Sequence, residues 1–243
     1  MAGTSAECRD LIDTAQRKGL TFTVAENTRF VTAYVEAEKL LQSGALGEPR
    51  LIRTFISGSA IDDLQSGAWI ARQADSLGGV IIDNAPHHFY LLKWLFGEIA
   101  AVQAFQYRFV QTSETEDHAI VSGVLKNGAI FSTEYTAIAE IPWGERCEIY
   151  GSKGALIIDQ LHTPPAMHYH GAEDFVGTPL SGVQHDLRGW KRFSIAETVK
   201  DFIYAIRDKR PPTIDPLDAG YYTLMIVERA YESVSASGKL ITV

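Results

Sequence analysis

Apolar residues recur along this chain with two spacings, near four and near two, and the order of those spacings predicts its elements. Thr4-x-x-Glu7 reads as a capping box opening a helix that ends near Gly19, and residues 21–24 read as a strand. Residues 32–43 put Ala33, Ala37, Leu40 and Leu41 on one helical face, and 50–59 reads as a strand. Residues 61–77 follow neither period and predict a long polar loop carrying Trp69 and Arg72, of the kind that borders a site. After a short buried run, Val80 to Ile82, Pro86 suits the first turn of a helix. Leu91, Leu92, Trp94, Leu95 and Phe96 supply its apolar face and Gly97 ends it.

The middle of the chain is rich in strands. Residues 99–110, 118–125, 129–137, 145–151 and 155–159 alternate or run apolar, and Asn127-Gly128 gives a two-residue hairpin signal. Strands so closely spaced favour an antiparallel sheet. Residues 162–189 look like a loop, with Pro164, Pro165 and scattered histidines His168, His170 and His185. Two helices close the chain. Ser194-x-x-Glu197 reads as a second capping box, and Asp215-Pro216 caps a helix from Leu217 to Ser237 that Gly238 ends. The fold class is α+β.

With 243 residues, 46% of them hydrophobic, the chain can bury a sizeable core. Its net charge of -8 and the lack of Lys/Arg runs among aromatics argue against nucleic acid or an anionic membrane as partner. No apolar run approaches the roughly 20 residues that span a bilayer, and no basic-then-apolar leader opens the chain, so a cytoplasmic location is expected. Cys8 and Cys147 are too few for a zinc or disulfide framework and read as reduced thiols. His168-x-His170 puts two rings on one side of a strand, but no acidic or histidine partner stands at a metal-binding spacing.

The candidate chemistry lies at Asp83 and His87. Four residues apart at the start of an apolar helix, they sit at the positive end of its dipole, where negative charge is favoured. His87 can exchange a proton near neutral pH, with Asp83 orienting its ring or raising its basicity. Spacing alone also fits a plain cap for Asp83 and a packed, hydrogen-bonded His87.

The run from Gly78 to Gly97 resembles a signature of the Gfo/Idh/MocA family of oxidoreductases: glycines, a short apolar run, Asp, three residues, His, then an apolar helix ending near Leu-Gly. The matching positions are Gly78, Gly79, Asp83, His87, Trp94 and Gly97. Where the family often has a glycine and a second acid, this chain has Ala85 and Tyr90. Glu26-Asn27-Thr28-Arg29-Phe30 resembles the start of the family's substrate domain, Trp69 and Arg72 its Trp-Arg segment, and the run from Glu148 to Gly154 its late hairpin.

The resemblance implies a large open, mainly antiparallel sheet with helices on one face. It also implies a homo-oligomer built through the open face. Residues 1–25 would be the last helix and strand of a dinucleotide-binding Rossmann domain and 26–243 the substrate and oligomerisation domain. The family oxidises or reduces a sugar, cyclitol or related carbonyl compound with NAD or NADP. By that likeness His87 is the acid/base, Asp83 its partner, and Trp69, Arg72, Asn27 and Arg29 are pocket-wall candidates. None of the 20 glycines lies two positions from another, so the pyrophosphate turn is absent, and the family's catalytic lysine normally precedes a segment like the one that opens this chain. The cofactor is therefore expected not to be bound by this chain alone. Three functions follow. The first is the substrate-binding portion of such an oxidoreductase. The second is a redox-independent isomerase, lyase or cyclase reusing Asp83 and His87. The third is a non-catalytic scaffold docking on a separate nucleotide-binding chain.

Overall fold

The computed structural model describes residues 2–161, 166–171, 178–179 and 187–243. Nine strands are described: β1 (Pro49–Ser57), β2 (Ile99–Tyr107), β3 (His118–Leu125), β4 (Ile130–Thr136), β5 (Gly144–Gly151), β6 (Gly154–Asp159), β7 (Ala166–Gly171), β8 (Thr178–Pro179) and β9 (Ile241–Thr242). They form one open sheet in the order β8-β7-β6-β5-β1-β4-β3-β2-β9. Every pair is antiparallel except β1 with β4, which is parallel, so the sheet is mixed and mainly antiparallel as the strand spacing predicts. The period of two is visible in β3, where Ala119, Val121 and Leu125 are buried while Ile120 faces outward.

Helices cover one face. They are α1 (Ser5–Arg17), α2 (Thr32–Gln42), the short α3 (Ile61–Ser66) and α4 (Gln73–Ser76), α5 (Val80–Phe96), α6 (Leu187–Asp208) and α7 (Thr223–Ser235). Helix α5 is central: Ile81, Phe89, Leu91 and Leu92 are fully buried, in one core with Ile52, Val121, Phe131 and Ile226. Side-chain bonds tie the layers. Ala104 N–H on β2 donates to Ser233 Oγ on α7 at 2.9 Å, and Thr54 Oγ1 on β1 lies 2.7 Å from His88 Nδ1 on α5. The opposite face leaves Phe105, Tyr107, Ile120 and Ile130 exposed. No described helix is long and apolar enough to cross a membrane.

Several local signals hold. Thr4 and Glu7 form the capping box of α1, β3 has the predicted bounds, and Asp215 Oδ1 accepts the Leu217 N–H at 2.9 Å. Cys8 and Cys147 are buried, free thiols.

Other expectations are corrected. Pro86 lies inside α5, which begins at Val80, so the ring removes an interior donor rather than occupying the first turn. Residues 61–77 are not a plain loop but α3, a 3₁₀ turn Trp69–Ala71, and α4, each too short to register as a period. Ser194 caps nothing: α6 has begun at Leu187, and the buried Ser194 Oγ accepts from Asn27 Nδ2 at 2.8 Å. Residues 21–24 form no strand, because no described strand pairs with them; Thr23 Oγ1 donates instead to the Ile214 carbonyl at 2.7 Å.

Two connections differ as well. The β3–β4 connection has Gly128 N–H donating to the Leu125 carbonyl and Gly128 at φ 89, a three-residue loop with a glycine bulge rather than a two-residue turn. Within the segment 162–189, β7 carries His168 and His170, whose rings stack 6.4 Å apart. Pro164, Pro165 and His185 lie outside the described residues.

The start of α5 is built by a distant residue. Glu116 accepts from Gly79 N–H at 2.9 Å, Ile81 N–H at 3.0 Å and Tyr231 O–H at 2.8 Å, while its carbonyl accepts from Val80 N–H at 3.1 Å. A Cβ on Gly79 would stand 1.8 Å from the Glu116 carbonyl oxygen, and one on Gly78 would stand 2.1 Å from Tyr231 Oη. The glycine pair lets the Glu116 backbone and the Tyr231 phenol come this close. Gly79→Ala is therefore expected to lower the urea unfolding free energy by about 3 kcal/mol or more. Gly19→Ala, at φ 62 with open space around it, should cost only about 1 kcal/mol. Equal losses would contradict the close approach.

Candidate functional site

Asp83 and His87 stand one helical turn apart on α5, in register with the spacing that singled them out. The structure gives them different surroundings. Exposed Asp83 lines a cavity of about 370 Å³ between the start of α5, the N-terminal residues Ala2 and Gly3, and the segment from Ala60 to Ser76. His87, 42% exposed in its side chain, lies a turn further along and is not a wall of that cavity.

The partner of His87 is Glu26 rather than Asp83. His87 Nδ1 lies 2.8 Å from Glu26 Oε2 and 2.9 Å from Oε1. Glu26 is itself fixed, since its Oε1 accepts the Thr28 N–H at 3.0 Å across the short turn Asn27–Phe30, and it is 4% exposed. The Glu26 charge pushes the His87 pKa up to about 9 against the burial of the ring, with Glu145 and Asp83 adding smaller effects of the same sign. Burial of Glu26 opposes its ionisation, but the facing His87 and the Thr28 N–H outweigh it and hold its pKa below the usual value. His87 is thus an imidazolium at neutral pH with Nδ1 engaged, which leaves Nε2 to exchange a proton.

His88 has the opposite character. It is 1% exposed, stacks on Tyr135 at 5.4 Å between ring centres, and burial lowers its pKa despite Glu145 Oε2 at 3.8 Å. It is a core histidine that ties α5 to the sheet through Thr54 of β1.

The anion-favouring start of α5 is filled from within by the Glu116 carboxylate, so it is not open to a substrate. Of the pocket-wall candidates, Trp69 borders the cavity with 57% of its surface exposed. The other three are held by protein partners. Arg72 pairs with Asp75 and donates from Nη1 to the Gly67 carbonyl at 2.6 Å. Arg29 pairs with Glu38 at 3.1 Å and lies 3.9 Å over the ring of Trp94. Asn27 ties its turn to Ser194 on α6. Tyr90 is buried with Ile214 and Ala219. Glu26 and Glu116 are the two site residues to which the sequence assigns no role. Glu26 opens the segment that resembles the family's substrate domain, and the Gly78-Gly79 pair is the advance signal for the close approach of Glu116.

A sequence profile described as the GFO/IDH/MocA C-terminal domain matches residues 34–157. An uncharacterized oxidoreductase of Synechocystis sp. is 26% identical over 224 residues, which are 82% of this chain and 59% of that protein. Myo-inositol 2-dehydrogenase of Thermotoga maritima is 22% identical over 235 residues, 94% of this chain and 66% of that protein. This chain therefore spans about three fifths to two thirds of these two relatives' lengths. Among solved structures, levoglucosan dehydrogenase in complex with NADH and levoglucosan has the same fold, with a TM-score of 0.86 at 22% identity, covering 100% of this chain and 71% of that one.

The Glu26–His87 pair has a pH signature. A histidine whose pKa is raised on folding contributes its stability in full below the unfolded value of 6.5 and loses it as pH rises through about 9. A carboxylate whose pKa is lowered contributes above its unfolded value of 4.5 and loses that as pH falls below it. The wild-type melting temperature should therefore exceed that of Glu26→Gln by a margin that is greatest between pH 4.5 and 6.5 and shrinks by pH 9. A margin that stays constant from pH 6.5 to 9 would rule out the charged pair.

Proposed function

This chain belongs to the GFO/IDH/MocA family, and we propose that it is the substrate-binding and oligomerisation portion of an NAD(P)-dependent oxidoreductase acting on a sugar, cyclitol or related polyol. The observation that carries the reading is His87 held through Nδ1 by buried Glu26, one turn from an Asp83 that faces a cavity of ligand size. Oxidation of a CH–OH group removes a hydride from carbon and a proton from oxygen, and reduction reverses both. His87 Nε2 is the proton carrier: the free imidazole accepts the hydroxyl proton, and the imidazolium, stabilised by Glu26, returns one to a carbonyl oxygen. Asp83, on the cavity wall one helical turn away, accepts from a substrate hydroxyl.

The described residues do not fit a dinucleotide. The sequence has no Gly-x-Gly turn, and the N-terminus of α5 is already occupied by Glu116. The part of the reaction that this chain's residues perform is the proton transfer. The exposed Phe105, Tyr107, Ile120 and Ile130 on the uncovered sheet face support assembly of two copies face to face.

Alone, the chain should give no NADH or NADPH from a polyol panel. Joined to a dinucleotide-binding domain it should, with kcat for oxidation rising towards pH 9 and His87→Ala lowering it by about 10²–10⁴-fold. Full activity in His87→Ala would overturn the assignment. His87-dependent turnover without any nucleotide would favour the redox-independent isomerase, lyase or cyclase instead.

A further inference from the structure

Glu26 has a cation close by in sequence that it does not use. Arg29 follows it by three residues across the 3₁₀ turn Asn27–Phe30, where side chains three apart lie on the same side, so the two are placed to pair with each other. Their side chains part instead. Glu26 Oε2 lies 2.8 Å from His87 Nδ1. Arg29 Nη1 donates to Glu38 Oε2 on α2 at 3.1 Å, and its guanidinium lies 3.9 Å over the ring of Trp94. Glu38 closes this group of three, since its Oε1 accepts from Trp94 Nε1 at 2.8 Å.

His87 and Trp94 stand about two turns apart on α5 and so share one face of the helix. The short turn lies along that face. Glu26 meets His87 at one end, Arg29 meets Trp94 at the other, and Phe30 and Trp94 both pack on the cluster of Tyr90, Ile214 and Ala219. Two cations thus stand within reach of one buried carboxylate. The anions that act on the His87 ring are Glu26 first, then Glu145 of β5 and Asp83 of α5, so losing Glu26 removes the main one. Guanidinium is charged at every working pH and its planar fork matches a carboxylate, which makes Arg29 the stronger competitor. Glu38 offers it a rival anion, and the indole of Trp94 a face to lie on.

We propose that Glu38 is a positioning residue for the proton carrier: by holding Arg29 on Trp94 it reserves Glu26 for His87. This rests on the reading of His87 as that carrier, and it adds how the chain protects the counter-charge of the imidazole from its nearest competitor.

NMR titration of the His87 ring in Glu38→Gln tests the proposal. The change keeps an oxygen for Trp94 Nε1 and removes the charge, so the pKa should fall by about one unit or more as Arg29 turns to Glu26. Adding Arg29→Met, which keeps an apolar stem on Trp94 and removes the competitor, should return the pKa to within about half a unit of wild type. Arg29→Met alone should titrate no lower than wild type, and it reads the same competition where Glu38→Gln lacks wild-type circular dichroism. A group that acted by packing alone would instead give a double variant at least as low as Glu38→Gln. The proposal is overturned by that result, by a folded Glu38→Gln that titrates with wild type, or by a fall in Arg29→Met alone. None of these readings needs turnover, so the proton-transfer role of His87, read from kcat, stands or falls separately.

Discussion

Glu116 and the first turn of α5 hold the rest in place. A helix start carries N–H groups without partners inside the helix, and in a buried position each needs one from elsewhere. Glu116 supplies both carboxylate oxygens and its own carbonyl to Gly79, Val80 and Ile81, and Tyr231 of α7 locks the carboxylate from the side. Because α5 starts there, Asp83 falls in its first turn, facing the cavity, and His87 in its second, facing Glu26. The two glycines ahead of the helix are spacers for this junction, so one local contact determines where both proposed proton handlers stand.

The second fixed point comes from outside the sheet. Glu26 caps its own short turn through Thr28, and that turn is fastened to α6 by Asn27 and Ser194 and to α2 by Arg29 with Glu38. The basicity of His87 therefore depends on a segment that neither α5 nor the sheet contains. Asn27 and Arg29, expected from the sequence as pocket-wall candidates, bond Ser194 and Glu38 in this arrangement. Asn27 and Arg29 act on the site through Glu26, by holding its turn, whereas Trp69 borders the cavity directly.

What was legible in the sequence was what a short window contains. The capping box at Thr4 and Glu7, the alternation of β3 and the four-residue step from Asp83 to His87 are each complete within ten residues, and each is found where it is expected. What was not legible depends on partners far along the chain. Glu116 is 37 residues from Gly79 and Glu26 is 61 from His87, so no periodicity announces either. The same cause misplaces the boundaries. Pro86 looks like a first-turn proline unless Glu116 is known to start the helix at Val80, six residues earlier, and Ser194 looks like a cap unless Asn27 is known to bond its hydroxyl. Residues 21–24 have strand composition, but composition does not supply the neighbour that a ladder needs.

Glu116 sets the chemistry of His87 without touching it, by fixing where α5 begins. NMR titration of the His87 ring in wild type and in Glu116→Ala tests this most directly. In wild type the ring should titrate near pH 9. In the folded variant its pKa should fall towards the ordinary histidine value of about 6.5, as the helix start shifts and the ring leaves Glu26. A value that stays near 9 in folded Glu116→Ala would contradict it.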